Sequence, residues 1–147
     1  MNWGTITETK RPLDILDVQC GFQASTPNEL TIKEEEIIFI LSPGTTDGWV
    51  RVRRVSPVDK DPSKEPSGWV PRSCLKRLPP EYRGRALYEY SSENENCITM
   101  MQLGQRMDIY ARLGEWLLVK LDGPDGKAGG TGYVPKHYVE ILDENDP

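Results

Sequence analysis

The sequence is poor in the residues that most reaction chemistry uses. It has one histidine, His137, and three cysteines, Cys20, Cys74 and Cys97. An odd number of cysteines without paired spacing excludes a disulfide framework. Two thiols with no adjoining His or Cys fall short of the four ligands of a structural zinc site. A Cys–His nucleophile pair would need His137 beside a thiol and a third group to orient it, and no spacing supplies that. The Gly-rich run "GPDGKAGGTG" stands between two strand-like segments, not before a helix, so it is a hairpin turn and not a phosphate loop. The reading is non-enzymatic: no catalytic residue, no metal and no cofactor. No apolar run approaches the roughly 20 residues of a membrane span, and "MNWGTITETKRPLDIL" lacks the apolar middle of a signal peptide. A positive balance is missing as well. The net charge of -5 argues against nucleic acid, whose phosphates require a basic face, and leaves room for basic ligands. Unpaired thiols and the lack of a spanning run make the expected location cytoplasmic.

Helical periodicity is also absent. No segment of ten or more residues combines i, i+3, i+4 apolar spacing with a cap. Instead, 13 glycines and 12 prolines in 147 residues point to short strands and many turns. Leu30, Ile32, Ile38 and Ile40 fall at even spacing, one face of an extended chain. Val50 and Val52 alternate with basic residues in "GWVRVRRV", and Ile98 and Met100, then Met107 and Ile109, alternate in the second half.

The two halves repeat each other. "GWVPRSC" at Gly68–Cys74 returns as "GYVPKHY" at Gly132–Tyr138. Phe22 and Tyr90 are 68 positions apart, Trp49 and Trp116 are 67 apart, and Gly68 and Gly132 are 64 apart. The falling offset assigns the longer loop before the closing strand to the first copy. Five short strands with one long acidic loop bury their apolar sides only by curling into a small, partly open barrel. The expectation is all-β: two five-stranded barrels in tandem. The expected divisions are a tail at 1–12, a first domain at 13–78, a linker at 79–84, a second domain at 85–142 and an acidic tail at 143–147.

"ALYEY" at Ala86–Tyr90, the acidic loop, Trp116 at a strand start and "GYVPKHY" together resemble the landmarks of an SH3 domain. The first half resembles it more loosely through "VQCGF", "STPNELTI", "GWVRV" and "GWVPRSC". The pair is similar to the N-terminal tandem SH3 domains of the fungal endocytic adaptor family that organises cortical actin patches. That resemblance implies proline-rich partners, notably WASP-class activators of actin nucleation and endocytic adaptors, and a place at cortical actin patches.

A proline-rich segment in the polyproline II form is largely ordered before it binds, and flat aromatic rings form slots for its prolines. The family pattern puts Tyr88, Tyr90, Trp116, Pro135 and Tyr138 along such a groove in the second unit. Glu93, Glu95 and Glu115 are the candidates to meet a basic ligand residue. In the first unit the matching positions are Phe22, Trp49 and Pro71, with Glu29 and Asp47 as acids. Cys20 and Cys74 stand where the second unit has Tyr88 and Tyr138. One slot thereby loses both rings, and the two cysteines are read as small apolar replacements. A disulfide between them is disfavoured in a reducing cytosol. Asn96, at a position usually acidic in the family, and one extra residue near Leu103 depart from the pattern.

Lys76-x-Leu78-Pro79-Pro80 itself resembles an SH3 ligand. It is too short to reach either groove of its own chain, so it serves as a stiff spacer or binds between molecules. Its flanking basic residues Lys76, Arg77, Arg83 and Arg85 are candidates to meet acidic loops of the neighbouring unit. Trp3 is either loose or folded back over the vacated slot. Two other functions stay open: a structural or autoinhibitory pair in which the first unit clamps the second or takes a non-proline partner, and an aromatic-cage reader of methylated lysine.

Overall fold

The computed structural model describes residues 11–55, 66–94, 96–98, 100–123 and 128–142. Trp3 and nearly all of the N-terminal tail, most of the charged insert before Gly68, Glu95, the core of the second hairpin turn and the acidic tail lie outside them. Among the described residues the regular elements are strands and short 3-10 turns, as the missing helical periodicity requires. No helix there is long and apolar enough to cross a membrane. The chain forms two compact units that part between Leu78 and Pro79.

Unit 1 contains β1 (Asp14–Val18), β2 (Ile37–Ile40), β3 (Trp49–Arg54), β4 (Ser67–Pro71) and β5 (Leu75–Arg77), with a 3-10 turn at Arg72–Cys74. The sheet order is β4-β3-β2-β1-β5, and all its pairings are antiparallel. A long loop leaves β1, folds on itself at the bridge between Phe22 and Ile32, and reaches β4 through a parallel bridge between Glu29 and Trp69. The loop thus curls the sheet toward closure. Val18, Leu30, Ile32, Ile38, Ile40, Val50, Val52 and Val70 fill the interior, as the alternation of Leu30, Ile32, Ile38, Ile40, Val50 and Val52 requires of those six. The other side of β3 carries the basic residues that alternate with Val50 and Val52. Arg53 is only 3% exposed, and its guanidinium lies 5.2 Å above the Phe39 ring.

Unit 2 repeats the scheme with β6 (Tyr82–Ala86), β7 (Tyr90–Ser91), β8 (Met100–Met101), β9 (Arg106–Leu113), β10 (Trp116–Asp122), β11 (Ala128–Pro135) and β12 (Val139–Leu142). Its main sheet runs β11-β10-β9-β6-β12, while β7 and β8 pair within the long loop. Tyr82, Arg83 and Gly84, expected in the join, lie inside β6. Three basic residues of this region, Lys76, Arg83 and Arg85, pair with acids of their own units. Arg83 pairs with Asp108 and Asp122, at 3.0 and 2.6 Å, and holds the Asp122 carboxyl below its ordinary range. Arg85 meets Glu140, and Lys76 lies 3.7 Å from Asp17.

One inward position departs from strict alternation. Ile98 and Met101 are buried at 1% and 0%, whereas Met100 is 62% exposed. The matching residues of unit 1, Leu30 and Ile32, are two apart. The residue added in unit 2 makes the step three, and it turns Met100 out of the core.

The repeated glycine has a steric cause. A Cβ on Gly68 would come within 2.7 Å of the Glu29 carbonyl carbon and 2.8 Å of the Leu30 nitrogen. On Gly132, at φ +150°, it would meet the Asn96 oxygen at 2.8 Å and the Cys97 carbonyl carbon at 2.9 Å. Both glycines let the long loop lie directly on the closing strand, where any side chain would hold it off.

Candidate peptide-binding site

Matching hydrogen bonds fix the correspondence of the two units. The Leu87 N–H donates to the Tyr138 carbonyl at 2.8 Å, as the Gln19 N–H does to that of Cys74 at 2.8 Å. The Lys136 N–H donates to the Glu115 carbonyl at 2.8 Å, and the Arg72 N–H to that of Gly48 at 2.8 Å. Each strand-opening Trp pairs in register with a strand-ending Pro: Trp116 with Pro135, and Trp49 with Pro71. Proline stops each ladder because it has no N–H to give, and its φ of -63° or -66° leads into the 3-10 turn. In unit 2 that turn lifts Tyr138 to the surface.

Four rings of unit 2 then touch in succession. Tyr88 and Tyr138 have centroids 5.2 Å apart at 65°, Tyr138 and Tyr90 5.8 Å at 82°, and Tyr90 and Trp116 6.5 Å at 65°. All are edge-to-face contacts, the favoured geometry for such pairs, so each ring braces the next. Tyr88 is 57% and Tyr138 36% exposed, while Tyr90, Trp116 and Pro135 are half-buried. The result is a solvent-facing row of apolar walls with phenol and indole donors along it. Tyr90 is the most enclosed of the row's three phenols, and desolvation pushes its hydroxyl pKa up, so it stays a neutral donor at physiological pH.

Unit 1 keeps half of this row. Phe22 and Trp49 stand 5.7 Å apart at 76°, the counterpart of Tyr90 and Trp116. At the other end Cys20 is exposed and Cys74 is buried, so no ring rises there.

The acids differ in what already occupies them. Glu93 is exposed at the loop that leaves Tyr90. Glu115 meets His137, with Oε2 to Nε2 at 3.0 Å. The place of His137 beside Glu115 was not legible in the sequence, because the two are 22 positions apart and meet only through the Trp116–Pro135 register. In unit 1 the Glu29 carboxylate accepts from the Ser25 N–H at 2.8 Å and hydroxyl at 3.0 Å, bonds that lower its pKa. Glu29 thus staples the loop. Asp47 accepts from the Thr45 hydroxyl at 2.5 Å. Asn96 is fully buried; its N–H donates to the Asn94 side-chain oxygen at 2.8 Å, and its carbonyl accepts from the Tyr133 N–H at 2.9 Å. It holds the loop to β11 and offers no charge to a ligand. Among the described residues no group of three or more His, Cys, Asp or Glu could hold a metal ion.

No protein-family model matches the chain. It is similar to the actin cytoskeleton-regulatory complex protein SLA1 of Mycosarcoma maydis, 31% identical over 85% of the chain and 11% of that protein. The sla1 protein of Sclerotinia sclerotiorum is likewise 31% identical, over 79% of the chain and 9% of its own length. Intersectin-2 of Mus musculus is 26% identical over 94% of the chain and 8% of its length. The chain therefore spans about a tenth of the length of these curated relatives. Two curled five-stranded sheets, the ordered landmarks and these similarities together make the chain a tandem of SH3 domains that resembles the SH3 pair of the fungal endocytic and cortical actin patch adaptors.

Proposed function

We propose that the chain is a non-enzymatic adaptor module whose second unit binds proline-rich segments in the polyproline II form. The unbroken, solvent-facing row Tyr88–Tyr138–Tyr90–Trp116 carries this reading. A three-fold helix presents prolines at regular intervals and leaves its carbonyls unpaired; a row of ring walls and phenol or indole donors meet both needs. Pre-ordered rings and a pre-ordered ligand keep the entropic cost of association low. Glu93 and Glu115 supply the negative end for an Arg or Lys flanking the prolines. Unit 1 has one ring-lined slot, so it is the weaker reader. The similarity to actin cytoskeleton-regulatory complex proteins favours partners in actin regulation. Proline-rich segments of WASP-class nucleation activators are the finer proposal, met in the cytoplasm at cortical actin patches.

The test is a two-dimensional NMR titration of the full chain with a proline-rich peptide carrying a flanking arginine. The Trp116 indole signal is expected to move at peptide concentrations that leave the Trp49 indole nearly still. Tyr88→Ala and Trp116→Ala should each weaken binding by about 2 kcal/mol, roughly thirtyfold. A stationary Trp116 signal, or equal response at Trp49, contradicts the proposal.

A further inference from the structure

Where unit 2 builds a ring slot, unit 1 places two thiols side by side. Cys20 opens the long loop after β1, and Cys74 ends the 3-10 turn before β5. Three hydrogen bonds tie these segments together: the Gln19 and Cys20 N–H groups donate to the Cys74 carbonyl at 2.8 and 3.4 Å, and the Gln19 side-chain amide donates to the Ser73 carbonyl at 2.7 Å. The Cys20 and Cys74 side chains lie within hydrogen-bonding reach of each other. Both are free thiols, one open to solvent and one shielded. A bridge between them therefore needs little backbone movement, and one partner is accessible to a small oxidant.

We propose that Cys20 and Cys74 form a reversible dithiol–disulfide site, written by a hydroperoxide and erased by a thiol reductant. The Cys20 thiolate attacks a peroxide oxygen, the O–O bond breaks, and the departing hydroxide takes a proton to become water. Cys20 is then a sulfenic acid. The Cys74 thiol gives up its proton as its sulfur attacks the Cys20 sulfur; the S–S bond forms, the S–O bond breaks, and the departing hydroxide takes that proton and leaves as water. Two thiols and one hydrogen peroxide give one disulfide and two waters. Reduction returns both thiols by exchange. Burial and the adjoining Cys20 push the Cys74 thiol up to about 11. It is thus protonated and unreactive toward oxidant at neutral pH, and it serves only as the resolving partner. The bond would close a loop containing β2, β3 and β4, and would strap the open end of the unit 1 groove.

The full chain is treated with dilute hydrogen peroxide, alkylated with N-ethylmaleimide, and read by intact mass and peptide mapping. Alkylatable thiols are expected to fall from three to one, the survivor being Cys97, which is 2% exposed. A Cys20–Cys74 cross-linked peptide should appear, vanish with dithiothreitol, and form faster at pH 9 than at pH 7. Cys74→Ser should stop at a Cys20 sulfenic acid that dimedone traps, and Cys20→Ser should leave Cys74 reduced. Overoxidation of Cys20 without cross-linking, Cys20–Cys20 dimers as the main product in dilute protein, or oxidation of Cys74 at an unchanged rate in Cys20→Ser would each overturn the proposal.

Discussion

A tyrosine at 138 and a cysteine at 74 end two copies of the same turn, held by the same backbone hydrogen bond. An aromatic side chain carries about 150–250 Å² of surface into a contact, and an aromatic pair adds about 0.5–1.5 kcal/mol beyond that area. Replacing both rings of a slot by thiols removes the walls as well as the hydroxyls. Restoring them should restore the slot. With the second groove silenced by Trp116→Ala, the double replacement Cys20→Tyr and Cys74→Tyr is expected to raise unit 1 affinity for a proline-rich peptide by about tenfold, some 1.4 kcal/mol. Either replacement alone should give less, because a slot needs two walls. The check is a peptide titration read by Trp49 fluorescence. A double variant with an unchanged circular dichroism spectrum and no gain in affinity would show that the missing rings are not what weakens the groove.

At the scale of elements, the parts legible in the sequence were those set by local period. Even spacing located the inward residues of β2 and β3, and the recurrence of Gly-aromatic-Val-Pro located the closing strands. Period failed where an inserted residue changed it: Met100 turned out and Met101 turned in. It is silent on the burial of Arg53, which pairs across the ladder with Phe39 and lies over its ring, a contact set by register between strands and not by the period of β3. The ring row was legible because each of its members sits at a strand start or a turn, positions that motif order fixes. The Glu115–His137 and Glu29–Ser25 contacts were not, since they depend on which side chains the closed loops bring within reach. Gly68 and Gly132 lie between these cases. Their recurrence is visible in the sequence, but their reason appears only when the loop rests on the strand. Gly68→Ala and Gly132→Ala should each cost about 1–3 kcal/mol, the penalty of forcing packed backbones apart. Urea unfolding followed by circular dichroism measures this. Losses below about 0.5 kcal/mol, the usual range for surface changes, would mean that the loop gives way freely.

At the scale of the whole molecule, each unit closes its own core. Val18, Ile38, Val52 and their neighbours form one cluster, and Ile98, Met107, Ile109, Leu117 and theirs form another. Domains of about 60 residues bury a modest share of their surface and have little stability to spare. A single large core truncation should therefore unfold the unit that carries it. Ile38 is fully buried, and Ile38→Ala should remove about 2–5 kcal/mol, comparable to the whole stability expected of so small a core. If the units fold separately, the loss stays in the first. The Trp116 indole should keep its dispersed NMR shift and its response to a proline-rich peptide, while the Trp49 signal collapses toward the random-coil position. The mirror change, Ile109→Ala, should remove peptide binding and leave Trp49 in place. If Ile38→Ala abolished binding at Trp116 together with the Trp49 signal, the two barrels would be one cooperative unit, and the first would be present to hold the second in shape.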